Sequence, residues 1–213
     1  MIYLDNAATT PVVPAALEAA WPWLTAEFGN PSSTHELGLR AKTALESARS
    51  RISAWLDCPA SDLVFTSGGT EGDNLAITGL ALANPRGKHI ISAKTEHEAV
   101  LETLDYLERV HGFEITWLYV DHQGNIDLAE LGKALRSDTT LVTLMLANNE
   151  IGTTHPLPQI IEAAHAVGAL VHTDAVQAAG WFDVRVGKNG TVVAGVDALT
   201  ISGHKLGAPK GSG

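Results

Sequence analysis

The sequence predicts an α/β fold, a mainly parallel sheet covered by helices on both faces. Two observations carry this reading. Short β-rich runs alternate with longer stretches whose apolar residues recur at helical spacing, the signature of consecutive βαβ units. Hydrophobic residues make up 45% and charged residues 18% of 213 positions, a globular balance too apolar for a disordered chain. No internal repeat, low-complexity tract or block of charge competes with that organisation.

In chain order, Pro14 to Trp23 and Leu37 to Leu56 are Ala-rich with apolar residues at helical spacing, so two helices come first. Leu63-Val64-Phe65-Thr66 reads as a short strand entering the turn Ser67-Gly68-Gly69-Thr70, followed by a helix from Glu71 to Leu82. Strand Ile90 to Ser92 and a helix near Ala99 to Val110 come next, then strand Glu114 to Val120 and a helix near Leu128 to Leu135. Strand Leu141 to Leu146 precedes a helix from Gln159 to Val167. Ala169 to Thr173 and Val196 to Ser202 are the last strands, before a Gly/Pro-rich loop from Gly207 to Gly213. The absence of a helix after that strand leads us to expect a truncated or divided polypeptide.

Composition excludes several classes. With Lys+Arg 14 and Asp+Glu 24, the formal net charge of −10 argues against nucleic acid or an anionic membrane as the main partner. No apolar run reaches the ~18 residues of a membrane span. The single Cys58 rules out an internal disulfide and a multi-cysteine zinc site, and it has no neighbouring base to activate it. The first residues, MIYLDNAATT, lack the basic and apolar regions of a secretory signal, so a cytoplasmic setting is expected.

In parallel α/β sheets function sits at the carboxyl ends of the strands. Those ends here carry Thr66-Ser67-Gly68, Glu96-His97, Asn148-Asn149-Glu150, Asp174 with Gln177, and Ser202-Gly203-His204-Lys205, so five of them converge on one rim. The turn Ser67 to Thr70 lets backbone approach closely and aims free helix amides at whatever lies above, which suits a phosphate, although an ordinary helix cap uses the same residues. Lys205 follows a β-branched run. A lysine desolvated there favours its neutral amine, which can hold an aldehyde as a Schiff base, while the alternative is a surface lysine. Asp174 can pair with a cation or cap a helix, and His97 can stack on a flat ligand or move protons. Asn148 and Asn149 can orient a ligand oxygen or make a turn. His165, His172 and Asp174 do not read as a metal site, since nothing fixes a third ligand; a hydrogen-bonded structural His172 fits better, and no metal is expected.

Together these segments resemble the class V aminotransferase family, and within it the cysteine desulfurases of the iron–sulfur type. The likeness runs from Tyr3-Leu4-Asp5-Asn6-Ala7-Ala8-Thr9-Thr10-Pro11 through Gly29-Asn30-Pro31-Ser32-Ser33 and Phe65 to Glu71. It continues in Glu96-His97, Asn148 to Gly152, His172 to Gln177 and Ser202 to Lys205. The resemblance implies the large domain of the fold type I pyridoxal phosphate enzymes over residues 1–213, with a helical segment at about 1–60 and the small domain missing. It implies that Lys205 carries the cofactor and shuttles the substrate's α-proton, and that Asp174 keeps the pyridine nitrogen protonated. His97 would stack on the ring as a candidate acid/base. Gln177 and Asn148 would fix the phenolic-oxygen side, Gly69, Thr70, Ser202 and His204 would hold the phosphate, and Asn30 would lie near the substrate.

The implied activity is conversion of L-cysteine to L-alanine, with sulfur leaving as a persulfide for iron–sulfur cluster or thiocofactor assembly. The implied partners are a second copy in a homodimer and a sulfur acceptor such as an iron–sulfur scaffold. Family members are considerably longer, and their further part holds the nucleophilic cysteine and the carboxylate-binding arginine; Cys58 matches neither. Selenocysteine cleavage or another lyase reaction, and a non-catalytic cofactor-binding or dimerising fragment, are the alternatives. A chain lacking that part would expose a sheet edge and an apolar surface, and is expected to associate. Arg185 to Thr191 is longer than the usual connection.

Overall fold

The structure is a computed structural model that describes residues 2–83 and 86–213. Its centre is a five-stranded, all-parallel sheet in the order β2-β1-β3-β4-β5, formed by His89–Ala93 (β1), Glu114–Leu118 (β2), Thr139–Thr143 (β3), Leu170–Asp174 (β4) and Ala198–Thr200 (β5). Parallel strands need crossovers, and helices Glu98–His111 (α4), Leu128–Ala134 (α5) and Leu157–Ala166 (α6) supply them, with Pro14–Thr25 (α1), Glu36–Leu56 (α2) and Gly69–Ala83 (α3) earlier in the chain. The expected fold class holds.

The central strands β1 and β3 are buried at every residue, as parallel strands covered on both faces are. Strand alternation divides them between two cores. Ile90, Leu141 and Leu170 pack with Ile77, Ala81, Val100, Leu104 and Leu107 of α3 and α4, whereas Ile91, Val142 and Val171 pack with Leu157, Ile160, Ile161 and Ala164 on the α6 side. Both crossover helices present a stripe at i, i+3, i+4, i+7: Val100, Thr103, Leu104 and Leu107 on α4, and Leu157, Ile160, Ile161 and Ala164 on α6.

One expected strand is absent. Leu63 to Thr66 is extended, but a strand needs a partner along its length, and among the described residues only Thr66 has one, exchanging both backbone hydrogen bonds with Gly213 at 2.8 Å each. The last expected strand is also shorter, because β5 pairs with β4 only from Ala198 to Thr200. The expected helix from Glu71 begins at Gly69, so Gly69 and Thr70 belong to its first turn.

The early helices contrast with this interior. Helix α1 buries no residue and leaves Trp21 and Leu24 60% and 72% exposed, and Phe28 just after it is 75% exposed. No described helix is long and apolar enough to cross a membrane.

Candidate active site

Because β1, β3, β4 and β5 run parallel, their carboxyl ends share one edge of the sheet, and the loops leaving them carry His97, Asn148, Asp174 and the Ser202–Lys205 turn. Asp174 closes β4, is 8% exposed, and accepts a hydrogen bond from the Val176 amide at 2.7 Å. Burial pushes its carboxyl up, while His97 and Lys205 pull it back toward the ionised form. Lys205 ends a short 3-10 turn after β5; burial lowers its ammonium, opposed by Asp174, Asp5 and Glu150. Its Nζ donates to the carbonyls of Ala7 and Ala8, the latter at 2.9 Å.

The segment before α1 forms one wall of the site. Gln177 Nε2 donates to the Ala7 carbonyl at 2.7 Å, and Thr10 donates from both backbone and hydroxyl to the His204 carbonyl, at 3.1 and 2.8 Å. Thr9 Oγ1 lies 3.0 Å from His204 Nδ1, and the His204 imidazole is held low first by burial and then by Lys205 and Lys210. Asn6, Ala7, Thr10, Val176, Gln177 and Lys205 line a cleft of about 500 Å³.

At the start of α3 the chain meets Ser202. A Cβ on Gly69 would stand 2.9 Å from Val176 Cγ2 and 3.6 Å from Ser202 Cβ, so only glycine lets the helix approach this closely. The first amides of a helix have no intrahelical acceptor, and Thr70 lies in that first turn. Ser202 is 1% exposed and its hydroxyl has no partner among the described residues.

Three expected site residues have structural duties. His97 caps α4, Nδ1 accepting from the Ala99 amide at 3.1 Å. Asn148 donates to the Thr95 carbonyl at 2.9 Å and accepts from the Glu150 and Ile151 amides at 2.9 and 3.0 Å, tying together the loops after β1 and β3. Asn30 is exposed and caps the Ser32 amide at 2.9 Å. His172 is fully buried between the hydroxyls of Thr143 and Thr200, whereas His165 pairs with Asp197 at 2.9 Å, so the two histidines do not converge.

Sequence reasoning missed Asp73 and the contacts of Ala7 and Ala8. A signal for Asp73 existed: Asp73, Ile77 and Ala81 fall at i, i+4, i+8 on the buried stripe of α3. The contacts of Ala7 and Ala8 are carbonyl contacts, which side-chain patterns cannot announce.

The Aminotransferase class-V profile matches residues 2–213, and the chain belongs to that family, whose members depend on pyridoxal phosphate. It is 48% identical over 213 residues to cysteine desulfurase IscS of Dictyoglomus turgidum and 46% identical to cysteine desulfurase IscS of Methanosarcina thermophila. In both cases all of this chain is matched, against 52% and 51% of the relative. The chain thus spans about half the length of these relatives. Among solved structures, SspA in complex with cysteine superposes with a TM-score of 0.92 at 37% identity, over 100% of this chain and 60% of that one. A NifS-like protein gives 0.89 at 36%, over 99% and 57%.

The residues present fit the cofactor. An amine for its aldehyde and a buried carboxylate for its ring nitrogen stand at the ends of adjacent strands, and the orphaned Ser202 hydroxyl beside the Gly69 turn suits a phosphate.

Proposed function

We propose that residues 1–213 are the cofactor-holding large domain of a cysteine desulfurase, acting on L-cysteine to give L-alanine and a persulfide. The single observation that carries this reading is the placement of Lys205 and Asp174 at neighbouring strand ends, with burial lowering the lysine's hold on its proton. Relatives named cysteine desulfurase at 48% and 46% identity, and the likeness to SspA in complex with cysteine, support the choice of substrate.

Pyridoxal phosphate, when bound, supplies an aldehyde and an electron-withdrawing ring. Lys205 Nζ, which donates to the Ala7 and Ala8 carbonyls, would hold that aldehyde and would move the substrate's α-proton. Asp174 would keep a proton at the ring nitrogen. His97 would lie against the ring as an acid/base, and Gln177 and Asn148 would orient the phenolic-oxygen side. Gly69, Thr70, Ser202 and His204 would hold the phosphate, and Asn30 would lie near the substrate. Cys58 is not assigned as the sulfur-accepting thiol: burial first, then Asp62 and Asp57, push its thiol up, away from the reactive thiolate.

A second copy is the partner we assign to the uncovered α1 surface, with a sulfur-accepting protein as the downstream partner in the cytoplasm. Alanine released from L-cysteine by the chain loaded with pyridoxal phosphate tests the activity, with L-selenocysteine run beside it. Alanine from L-cysteine, dependent on Lys205, is the expected result. Turnover of selenocysteine alone would assign a lyase, and no turnover of either a cofactor-binding fragment.

A further inference from the structure

Below the cleft, the α3 side of the sheet carries a strip of buried polar groups. His172 is the hub: Nδ1 lies 2.8 Å from Thr143 Oγ1 on β3, and Nε2 lies 3.0 Å from Thr200 Oγ1 on β5. Asp73 reaches the strip from α3 because Gly72 lets the helix press onto β5; a Cβ at Gly72 would stand 2.7 Å from Thr200 Cγ2. Asp73 is 1% exposed, and its Oδ1 has no hydrogen-bond partner among the described residues, lying 3.6 Å from His172 Nε2. That separation is too long for a charge-assisted hydrogen bond, so Asp73 and His172 are not a tight ion pair.

The groups facing Asp73 come from every element around it. They are His172 and Asp174 on β4, Thr200 on β5, and the buried Glu96 on the loop after β1, whose Oε1 accepts from the Met145 amide at 2.9 Å. The cations near the site, His97 and Lys205, act on Asp174. Burial first, and the like charge of Asp174 second, push Asp73 up to about 8, against a hydrogen bond with Thr200 that pulls it down. Two carboxyls sharing a buried region cannot both ionise cheaply, so the one without cations takes the proton.

We infer that Asp73 is a positioning residue that remains a neutral carboxylic acid, donating to Thr200 so that Asp174 alone carries the negative charge at the strand ends. The hydrogens then run one way. Asp73 donates to Thr200 Oγ1, Thr200 donates to His172 Nε2, and His172 donates from Nδ1 to Thr143 Oγ1. An ionised Asp73 would reverse the chain: Thr200 would donate to Asp73 and His172 would carry its hydrogen on Nε2. The charge assigned to Asp174 serves the proposed cofactor reading, but both signals below are read without cofactor, so each idea can fail alone.

The test is nuclear magnetic resonance of the chain with carboxyl-labelled aspartate and ring-labelled histidine. At pH 7 one aspartate signal in the protonated range is expected, lost in Asp73→Asn, together with His172 as the Nδ1–H tautomer. Raising the pH through about 8 should move His172 to the Nε2–H tautomer in the wild type and not in Asp73→Asn, whose amide still donates to Thr200. Asp174→Asn, which removes the like charge, should lower the Asp73 midpoint, and this arm stands even if Asp73→Asn does not fold. An Nε2–H His172 at pH 7 with all aspartates ionised would overturn the inference. So would a protonated signal that survives Asp73→Asn and vanishes in Asp174→Asn.

Discussion

The two faces of the sheet follow different rules. On the α6 side, Ile91, Ala93, Val142, Leu144, Val171, Ala175, Leu199 and Ile201 make the carboxyl half of the surface apolar but for the buried Thr173, while strand alternation places the polar His89 and Thr140 at its amino end. On the α3 side the amino ends are apolar, with Ile90, Leu141 and Leu170, but the next residues toward the carboxyl ends are Ser92, Thr143, His172 and Thr200. Apart from Leu199 and Ile201 on one side and Leu170 on the other, these residues are buried on both sides. The α6 face therefore anchors the fold, while the carboxyl end of the α3 face spends buried volume on polar groups that an apolar core would hold more stably.

The largest contrast is expected in pH dependence. Because burial raises Asp73 to about 8, the folded chain binds its proton more tightly than the unfolded chain, in which aspartate titrates near about 3.9. Its contribution to stability is therefore fully present at acid pH and is lost as pH rises toward 8. Glu96, raised well above its ordinary value by burial, acts in the same direction. Urea unfolding of Asp73→Asn across that window should show a shallower decline than wild type; an equal decline would remove Asp73 from the explanation. On the α6 side, Ile160→Ala removes a fully buried side chain and should cost about 2–5 kcal/mol, by an amount that does not change with pH.

Smaller effects sharpen the same comparison. Gly72→Ala places a Cβ 2.7 Å from Thr200 Cγ2 and should cost about 1–3 kcal/mol by forcing α3 away from β5. Thr143→Val leaves His172 Nδ1 without its partner at 2.8 Å, for a loss of about 1–3 kcal/mol in thermal unfolding. Arg109→Ala breaks only an exposed pair with Asp105 on α4 and should stay within about 0.5 kcal/mol.

Much of this was legible in the sequence. The helical stripes of α4 and α6 and the short apolar runs of β1 and β3 are strong periodic signals, and the rim residues His97, Asp174 and Lys205 follow once the strands are placed. The expected Leu63–Thr66 strand failed because pairing is non-local: its composition suits a sheet, yet among the described residues only Gly213 pairs with it across the chain. The polar strip was harder still. His172 could be read as a structural histidine, but its two threonine partners come from strands separated by 29 and 28 residues from it. The carbonyls of Ala7 and Ala8 meet Lys205 across nearly the whole chain, and no side-chain pattern encodes them.

The role proposed for this polar end is to hold pyridoxal phosphate on Lys205. The most direct measurement is the absorbance spectrum of the chain with the cofactor, before and after borohydride reduction, followed by peptide mapping of wild type and Lys205→Ala. A visible band in the wild type, a reduced label mapped to Lys205, and neither in the variant are the predicted results. A label at another lysine, or a band that persists in Lys205→Ala, would contradict the account.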